Sequence, residues 1–449
     1  MALFSTTGIR GISNETLTSE FVLDLARTYG SMLKQGSKVL IGNDPRTSSE
    51  MVKSAVIAGL LETGLNVFDT GIVPIPVLNF AVKQSYDAGI MVTSSHNPAE
   101  YNGLKFILTN GMEISENQEK RFEQIYKRKN FRRANWKKIG KYTEHNVIQD
   151  YETAVLNFIK LKALNLKIVL DIGNGAQGTV VPNLFKQLSC ETVILHRTMN
   201  GFFERGPEPR PDTLTKLRET VLSEQADMGI AFDTDGDRAI FVTGREEILM
   251  GDVTGSLLAN EILSENKGGL IVTTVATSSL IDYVVEKNNG KIIKTKIGGK
   301  IVGDVIIKKK ALFGFEENGG CMFPQISPSR DGALTAVKIA ELVASSGKSL
   351  SQLVAKFPKF HQLKARIHCE EKLKSKVMTY IKTLVKKEVK KIDSTDGVKI
   401  FFEDDSWILI RPSGTEPIFR VFCESKSQKR TEELEKWGVE KVKEAIKKL

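Results

Sequence analysis

Through the first three-quarters of the chain, short apolar runs alternate with amphipathic stretches. KVLIG at 38–42 gives way to SSEMVKSAVIAGLLETG and then to NVFDTG. LKIVLDIG at 166–173 is followed by TVVPNLFKQLS and ETVILH. After Asp252 the rhythm resumes with TGSLLANEILSE, GLIVTTVA and SLIDYVVEKNNG. Strands of four to eight residues alternating with longer helical patterns predict α/β units built on mostly parallel or mixed sheets. The last part differs. Two lysine-rich helical stretches bracket a strand-rich centre, VKIFFEDDSWILIRPSGTEPIFRVFCES, which reads as a small α+β domain.

Three apolar strands run straight into polar loops: AGIMVTSSHNP at 88–98, DMGIAFDTDGD at 227–237 and ALFGFEENGG at 311–320. Their separation is domain-sized, too long for a solenoid repeat. The expected fold is therefore three similar α/β domains with mixed sheets plus the C-terminal α+β domain. The expected domains are residues 1–145, 146–250, 251–358 and 359–449, with the basic stretch 127–145 acting as a linker. Ligands of open α/β sheets sit at the carboxyl ends of strands, so the loops can converge on one central cleft.

The loops carry chemistry. Ser95, in Thr93-Ser94-Ser95-His96-Asn97-Pro98, is placed to be a nucleophile or phosphate carrier, although the same turn can be purely structural. Lys105 lies just downstream and is a candidate acid or base if a cationic metal site lowers its pKa. Asp233, Asp235 and Asp237 alternate along one turn, and like charges packed this way call for a cation. The EF-hand pattern fails, because its sixth and twelfth positions are Arg238 and Gly244. Three protein oxygens leave room for further ligands, which suits Mg²⁺. Arg411-Pro412-Ser413-Gly414-Thr415-Glu416-Pro417, with Arg420 nearby, offers guanidinium, hydroxyl and backbone N–H groups to a phosphate. Glu316, Glu317 and Asn318 are equally readable as sugar-hydroxyl contacts or as a solvated turn.

One motif points elsewhere. Gly173-Asn174-Gly175-Ala176-Gln177-Gly178 matches the dinucleotide fingerprint, after a strand and before a helix. The acidic residue expected at the end of the next strand is missing, since His196 and Arg197 stand there. A tight structural turn is the preferred reading.

The chain has 449 residues, a formal net charge of +10 and four widely spaced cysteines. There is no CxxC pair, so neither a zinc knuckle nor a disulfide framework is indicated, and a reducing cytoplasm fits. Neither a signal peptide nor a membrane span is expected. The densest basic run, 127–141, lacks the patterns of RNA-binding modules, so nucleic acid is not an expected partner.

Taken together and in order, TSSHNP, DTDGDR and RPSGTEP, preceded by TGIRG at 7–11, resemble the α-D-phosphohexomutase superfamily over essentially the whole chain. The resemblance implies four domains around a deep cleft and interconversion of hexose 1- and 6-phosphates of glucose or mannose, with glucosamine phosphate as the alternative. It implies Ser95 as phosphoserine, with a hexose 1,6-bisphosphate as intermediate and activator. Asp233, Asp235 and Asp237 resemble the Mg²⁺ ligands, completed by the phosphoserine oxygen. Lys105, Arg10 and His96 resemble the catalytic residues beside the serine. Arg46 and Arg238 resemble active-site arginines, Glu316 and Asn318 the sugar contacts, and Arg411, Ser413, Gly414, Thr415 and Arg420 the phosphate clamp. Two family histidines are absent, with Gly299 and Gly320 in their places. Small sugar phosphates are the expected partners, and oligomeric state stays open.

Overall fold

The computed structural model describes residues 3–4, 8–384, 389–414 and 416–448, with Leu384 described by its backbone alone. Four sheets form. In the first, strand Lys38–Asn43 pairs in parallel with Asn66–Ile72 and Ala88–Val92. Tyr101–Leu108 and Ile9–Ile12 then add antiparallel strands on one side, and Tyr142–Glu144 closes the other edge in parallel. The second sheet carries the parallel strands Lys167–Asp171, Glu191–Leu195 and Met228–Phe232, with antiparallel Ala239–Thr243 beyond. The third repeats this plan with Leu270–Thr274, Lys291–Thr295 and Phe313–Phe315, followed by antiparallel Cys321–Phe323 and Ser327–Arg330. The fourth sheet is wholly antiparallel.

The central strands explain themselves physically. Every residue of Ala88–Val92 and of Met228–Phe232 is buried, as expected of strands covered on both faces. Each fully buried Leu, Ile or Phe contributes roughly 1.5–3 kcal/mol, which sets the register of these strands firmly. Each such strand ends in one of the polar loops.

Packing divides the molecule unevenly. One continuous apolar core runs through the first three sheets, joining Leu40 and Met91 to Leu170 and Phe232 and on to Phe313 and Phe323. Phe80 meets Tyr151, and Phe158 meets Phe323, across the seams. The fourth sheet has a separate core built on Ile400, Ile410 and Val421. It meets the third through a small patch of Val275, Ala276, Trp407, Leu409 and Phe422.

Two features depart from the sequence reading. The basic run is more than a linker. Arg132 donates to the carbonyls of Gly30, Leu33 and Thr63, and Tyr142–Glu144 extends the first sheet. The strand His361–His368 opens the C-terminal sheet, although its polar pattern gave no apolar signal. Among the described residues no helix is long and apolar enough to cross a membrane.

Candidate active site

Strand Ala88–Val92 delivers the loop that holds Ser95, and the backbone there is tightly wired. Ser95 has φ of +52°, left-handed backbone that a non-glycine residue adopts at a cost of roughly 1–2 kcal/mol. The conformation is fixed from both sides. The Ser95 N–H donates to Thr93 Oγ1 at 2.8 Å, and the Ser95 carbonyl accepts from Arg46 Nη2 at 2.7 Å. Arg46 donates further to the carbonyls of Pro98, Asn97 and Tyr101 and to Asp44 Oδ2. All five guanidinium N–H groups are thereby engaged. A substrate contact was expected of Arg46. In this geometry it is a clasp that shapes the serine loop from below.

The loop turns the Ser95 hydroxyl toward the aspartates, and Oγ donates to Asp235 Oδ1 at 2.9 Å. Lys105, buried on strand Tyr101–Leu108, reaches the other oxygen of Asp235 at 2.8 Å and lies 3.9 Å from Asp237 Oδ2. Burial pulls the Lys105 ammonium down, but Asp235 and Asp237 outweigh it and hold its pKa above the ordinary value. In turn, burial pushes Asp235 up and Lys105 more than offsets this, leaving that carboxylate well below the usual range. Asp233 goes the other way, raised by burial and by Asp237 and Asp235.

This split is what three packed carboxylates do without full compensation. Ligand oxygens of Asp233, Asp235 and Asp237 lie within 4.8 Å of one another. Asp233 Oδ2 and Asp237 Oδ1 are buried with no hydrogen-bond partner. An all-oxygen set with orphaned carboxylate oxygens fits a hard divalent cation.

The glycine-rich turn at 173–178 supports this loop from behind. Ala176 N–H donates to the Thr234 carbonyl at 2.9 Å, and Gln177 Nε2 to the Gly236 carbonyl at 2.7 Å. A Cβ on Gly175 would lie 2.9 Å from the Thr234 oxygen, so glycine permits the approach. The fingerprint is thus a buttress for the aspartate turn.

Cations surround the cluster. Arg238 Nη1 donates to Glu208 Oε1 at 2.9 Å, while its Nε lies 3.6 Å from Asp233 Oδ2 and 3.7 Å from Asp237 Oδ1. Its Nη2 meets His96 Nδ1 at 3.1 Å. A guanidinium only donates, so that ring nitrogen accepts. Burial, then Arg238 and Arg10, hold the His96 imidazole well below its ordinary pKa, so it is neutral here. Arg10 Nη1 reaches Asn97 Oδ1 at 2.5 Å.

The third loop joins through a residue the sequence reading passed over. Arg330 donates to Asp237 Oδ2 at 2.6 Å and to Glu316 Oε2 at 3.1 Å. Glu316 Oε1 accepts from Gly298 N–H at 3.0 Å. Asn318 Oδ1, expected at a sugar hydroxyl, accepts from Gly320 N–H within its own turn at 3.2 Å.

The fourth loop is built differently. Arg411 pairs with Asp396 at 3.3 Å and Arg420 with Glu416 at 2.5 Å, all within the C-terminal sheet and its turns. Lys374 holds the base of the loop through the carbonyls of Ser413 and Glu416 at 2.6 and 2.8 Å. The Nε of Arg420 is buried without a hydrogen-bond partner, as suits a donor awaiting an anion, while that of Arg411 faces Asp396. Ser413 is buried and Gly414 exposed, and Thr415 lies outside the described residues.

Comparisons with known proteins find matches over most of the chain. Residues 1–133, 148–246 and 250–360 match the phosphoglucomutase/phosphomannomutase α/β/α domains I, II and III, and residues 366–437 match the C-terminal domain of that family. A phosphoglucomutase/phosphomannomutase of Thermococcus kodakarensis is 40% identical over 99% of each chain. A probable phosphoglucosamine mutase of Pyrococcus abyssi is 38% identical over 99% of this chain and 98% of the other. The crystal structure of a phosphoglucomutase/phosphomannomutase family protein from Burkholderia thailandensis superposes with a TM-score of 0.89 at 28% identity, covering 99% of this chain and 97% of that one.

Proposed function

The chain belongs to the phosphoglucomutase/phosphomannomutase family, and on that premise we propose how its residues interconvert hexose 1- and 6-phosphates. It is a phosphohexomutase. Ser95 carries the phosphoryl group, passes it to the free hydroxyl of a bound hexose phosphate, and takes the other phosphoryl group back after the hexose 1,6-bisphosphate turns over in the cleft. The observation that carries this reading is the Ser95 hydroxyl bonded to Asp235, inside a buried cluster that also holds Lys105.

Asp233, Asp235 and Asp237 would hold Mg²⁺, which supplies positive charge against the charge developing on the transferring group. Lys105, bonded to Asp235 beside Ser95 Oγ, is placed to give a proton to that oxygen as the P–O bond to serine breaks and to recover one from the attacking sugar hydroxyl. When the phosphoryl group returns, the flow reverses: the lysine takes the proton of Ser95 Oγ and supplies one to the leaving sugar oxygen. Arg238 and Arg10 add fixed charge beside the serine, and neutral His96 orients Arg238. Glu316 accepts from sugar hydroxyls. Arg411 and Arg420, with Ser413, Gly414 and Thr415, grip the phosphate that is not reacting, so either end of the bisphosphate can be presented to Ser95.

A second reading, phosphoglucosamine mutase, shares this chemistry and is supported by relatives of that name. Glu317 Oε2, buried beside the sugar loop without a partner, is a candidate acceptor for an amino group. The four free thiols suit a reducing, cytoplasmic setting. A coupled assay on glucose, mannose and glucosamine phosphates, with and without Mg²⁺ and bisphosphate, tests the proposal. Activity on one panel member that requires both additions supports it, and no mutase activity on any of them contradicts it.

A further inference from the structure

Arg330 ends a short polar strand, Ser327–Arg330, at the edge of the third sheet. Asp331 follows immediately and caps the helix Gly332–Ser346, accepting from Leu334 N–H at 2.9 Å and from the Tyr151 hydroxyl at 2.7 Å. A strand before and a cap after fix the backbone from which the arginine projects. Its side chain is 11% exposed and joins carboxylates from two different sheets, Asp237 at 2.6 Å and Glu316 at 3.1 Å.

The seat of the guanidinium is hollowed out by two glycines. A Cβ at Gly320 would come within 2.3 Å of Arg330 Cδ, and one at Gly299 within 3.0 Å of Arg330 Nε. These are the two positions where the family resemblance leads one to expect histidine. Here one arginine fills the room beside both. Unlike an imidazole, it stays charged at every working pH.

Its partners give it a particular task. Asp237 is one of the three carboxylates that would hold the divalent cation, and Glu316 is the sugar-loop carboxylate. Arg330 and the cation are therefore rival positive charges at one carboxylate, and charges a few ångströms apart in a buried site repel strongly. We infer that Arg330 is a positioning residue that couples cation binding to sugar recognition: it shares Asp237 with the cation and, as the cation claims that carboxylate, shifts toward the Glu316 side. The inference rests on the cation site proposed above. Coupling of this kind is reciprocal, so a sugar that engages Glu316 must also alter cation affinity.

Mn²⁺ binding, followed by the electron paramagnetic resonance of the free ion, tests this without turnover. Wild type, Arg330→Gln, Arg330→Lys, Gly320→Ala and Asp235→Asn would be titrated with and without glucose 1-phosphate, with melting curves to verify folding. Arg330→Gln is expected to bind Mn²⁺ about tenfold more tightly than wild type, because a competing charge is gone. Arg330→Lys should stay near wild type. Gly320→Ala keeps the charge but crowds the arginine from its seat, so it should tighten binding in the same direction. The factor by which glucose 1-phosphate changes Mn²⁺ affinity should shrink in Arg330→Gln and Gly320→Ala. Unchanged or weaker Mn²⁺ binding by folded Arg330→Gln overturns the inference, and if that variant does not fold, Gly320→Ala decides by the same criterion. Binding by wild type that Asp235→Asn abolishes identifies the site. Wild type that binds no Mn²⁺ removes the cation reading and this inference with it.

Discussion

The chemical end of this molecule and its C-terminal clamp are built on opposite principles. Around Ser95, groups from three sheets interlock: serine to Asp235, lysine to Asp235, arginine from Asp237 to Glu316. One apolar core runs beneath all three sheets. The clamp at 411–420 pairs its arginines within its own sheet and turns, has its own core, and meets the third sheet's unit through a small apolar patch and a few hydrogen bonds, Ser279 N–H to Glu424 and Ile297 N–H to Asp396 among them. Phosphoryl transfer needs fixed charge and exact distances, which burial in a shared core supplies. Holding a phosphate that arrives, turns over and leaves needs donors that are ready yet able to give way. A unit on a small junction suits that task.

If this division is right, damage at the two ends should differ in kind. Ser95→Ala should lower kcat by at least about 1,000-fold, because the atom that stores the phosphoryl group is gone. Steady-state rates with bisphosphate supplied check this, and retained turnover would dissolve the contrast. Arg420→Ala and Arg411→Ala should instead act mainly on KM, raising it roughly 10–100-fold with a smaller fall in kcat. A fall in kcat alone would show that the clamp belongs to the chemistry.

A milder test reaches the buttress of the chemical end. Gln177→Ala removes the support of the Gly236 carbonyl, and Mn²⁺ affinity should fall by roughly tenfold, as for other groups that orient metal ligands. Clamp variants should leave Mn²⁺ binding unchanged.

A separate effect, on stability, concerns the junction. Asp252 is buried and its Oδ1 accepts from Ser278 N–H at 2.7 Å. Burial pushes its carboxyl up to about 7, against the pull of Lys364 from the C-terminal sheet. Its folded pKa lies above the ordinary value, so its contribution is complete below about pH 4 and is lost as pH rises through 7. Asp252→Asn keeps the acceptor and removes the titration. Wild type and variant should melt alike near pH 4, and the variant should gain roughly 2–4 kcal/mol by pH 8. Parallel melting curves across that range would refute the assignment.

How much could be read beforehand follows the same division. Chemistry local in sequence was legible: a serine in one turn after a strand, three aspartates in another, and a guanidinium loop before a strand. The strand–helix alternation marked the three α/β units because their central strands are buried and apolar. What escaped acts across the fold. Arg330 lies 93 residues from Asp237, at the end of a polar strand with no apolar signal. The family resemblance marked Arg46 as an active-site arginine, and only three dimensions show its donors engaged by carbonyls about 50 residues away. The glycine-rich turn was read as structural, and the loop it contacts is 59 residues downstream. Lys105 was legible as a candidate acid or base, but the aspartate it pairs with lies 130 residues downstream.

The most direct test of the central claim is to look for the phosphoryl group on Ser95. The purified enzyme would be incubated with hexose 1,6-bisphosphate and Mg²⁺, and digested peptides would be mapped by mass spectrometry before and after a chase with hexose 6-phosphate. The account predicts one added phosphate, confined to Ser95, that disappears in the chase as bisphosphate reappears. An enzyme that turns over sugar phosphate with Ser95 never modified, or modified but not discharged, would contradict it.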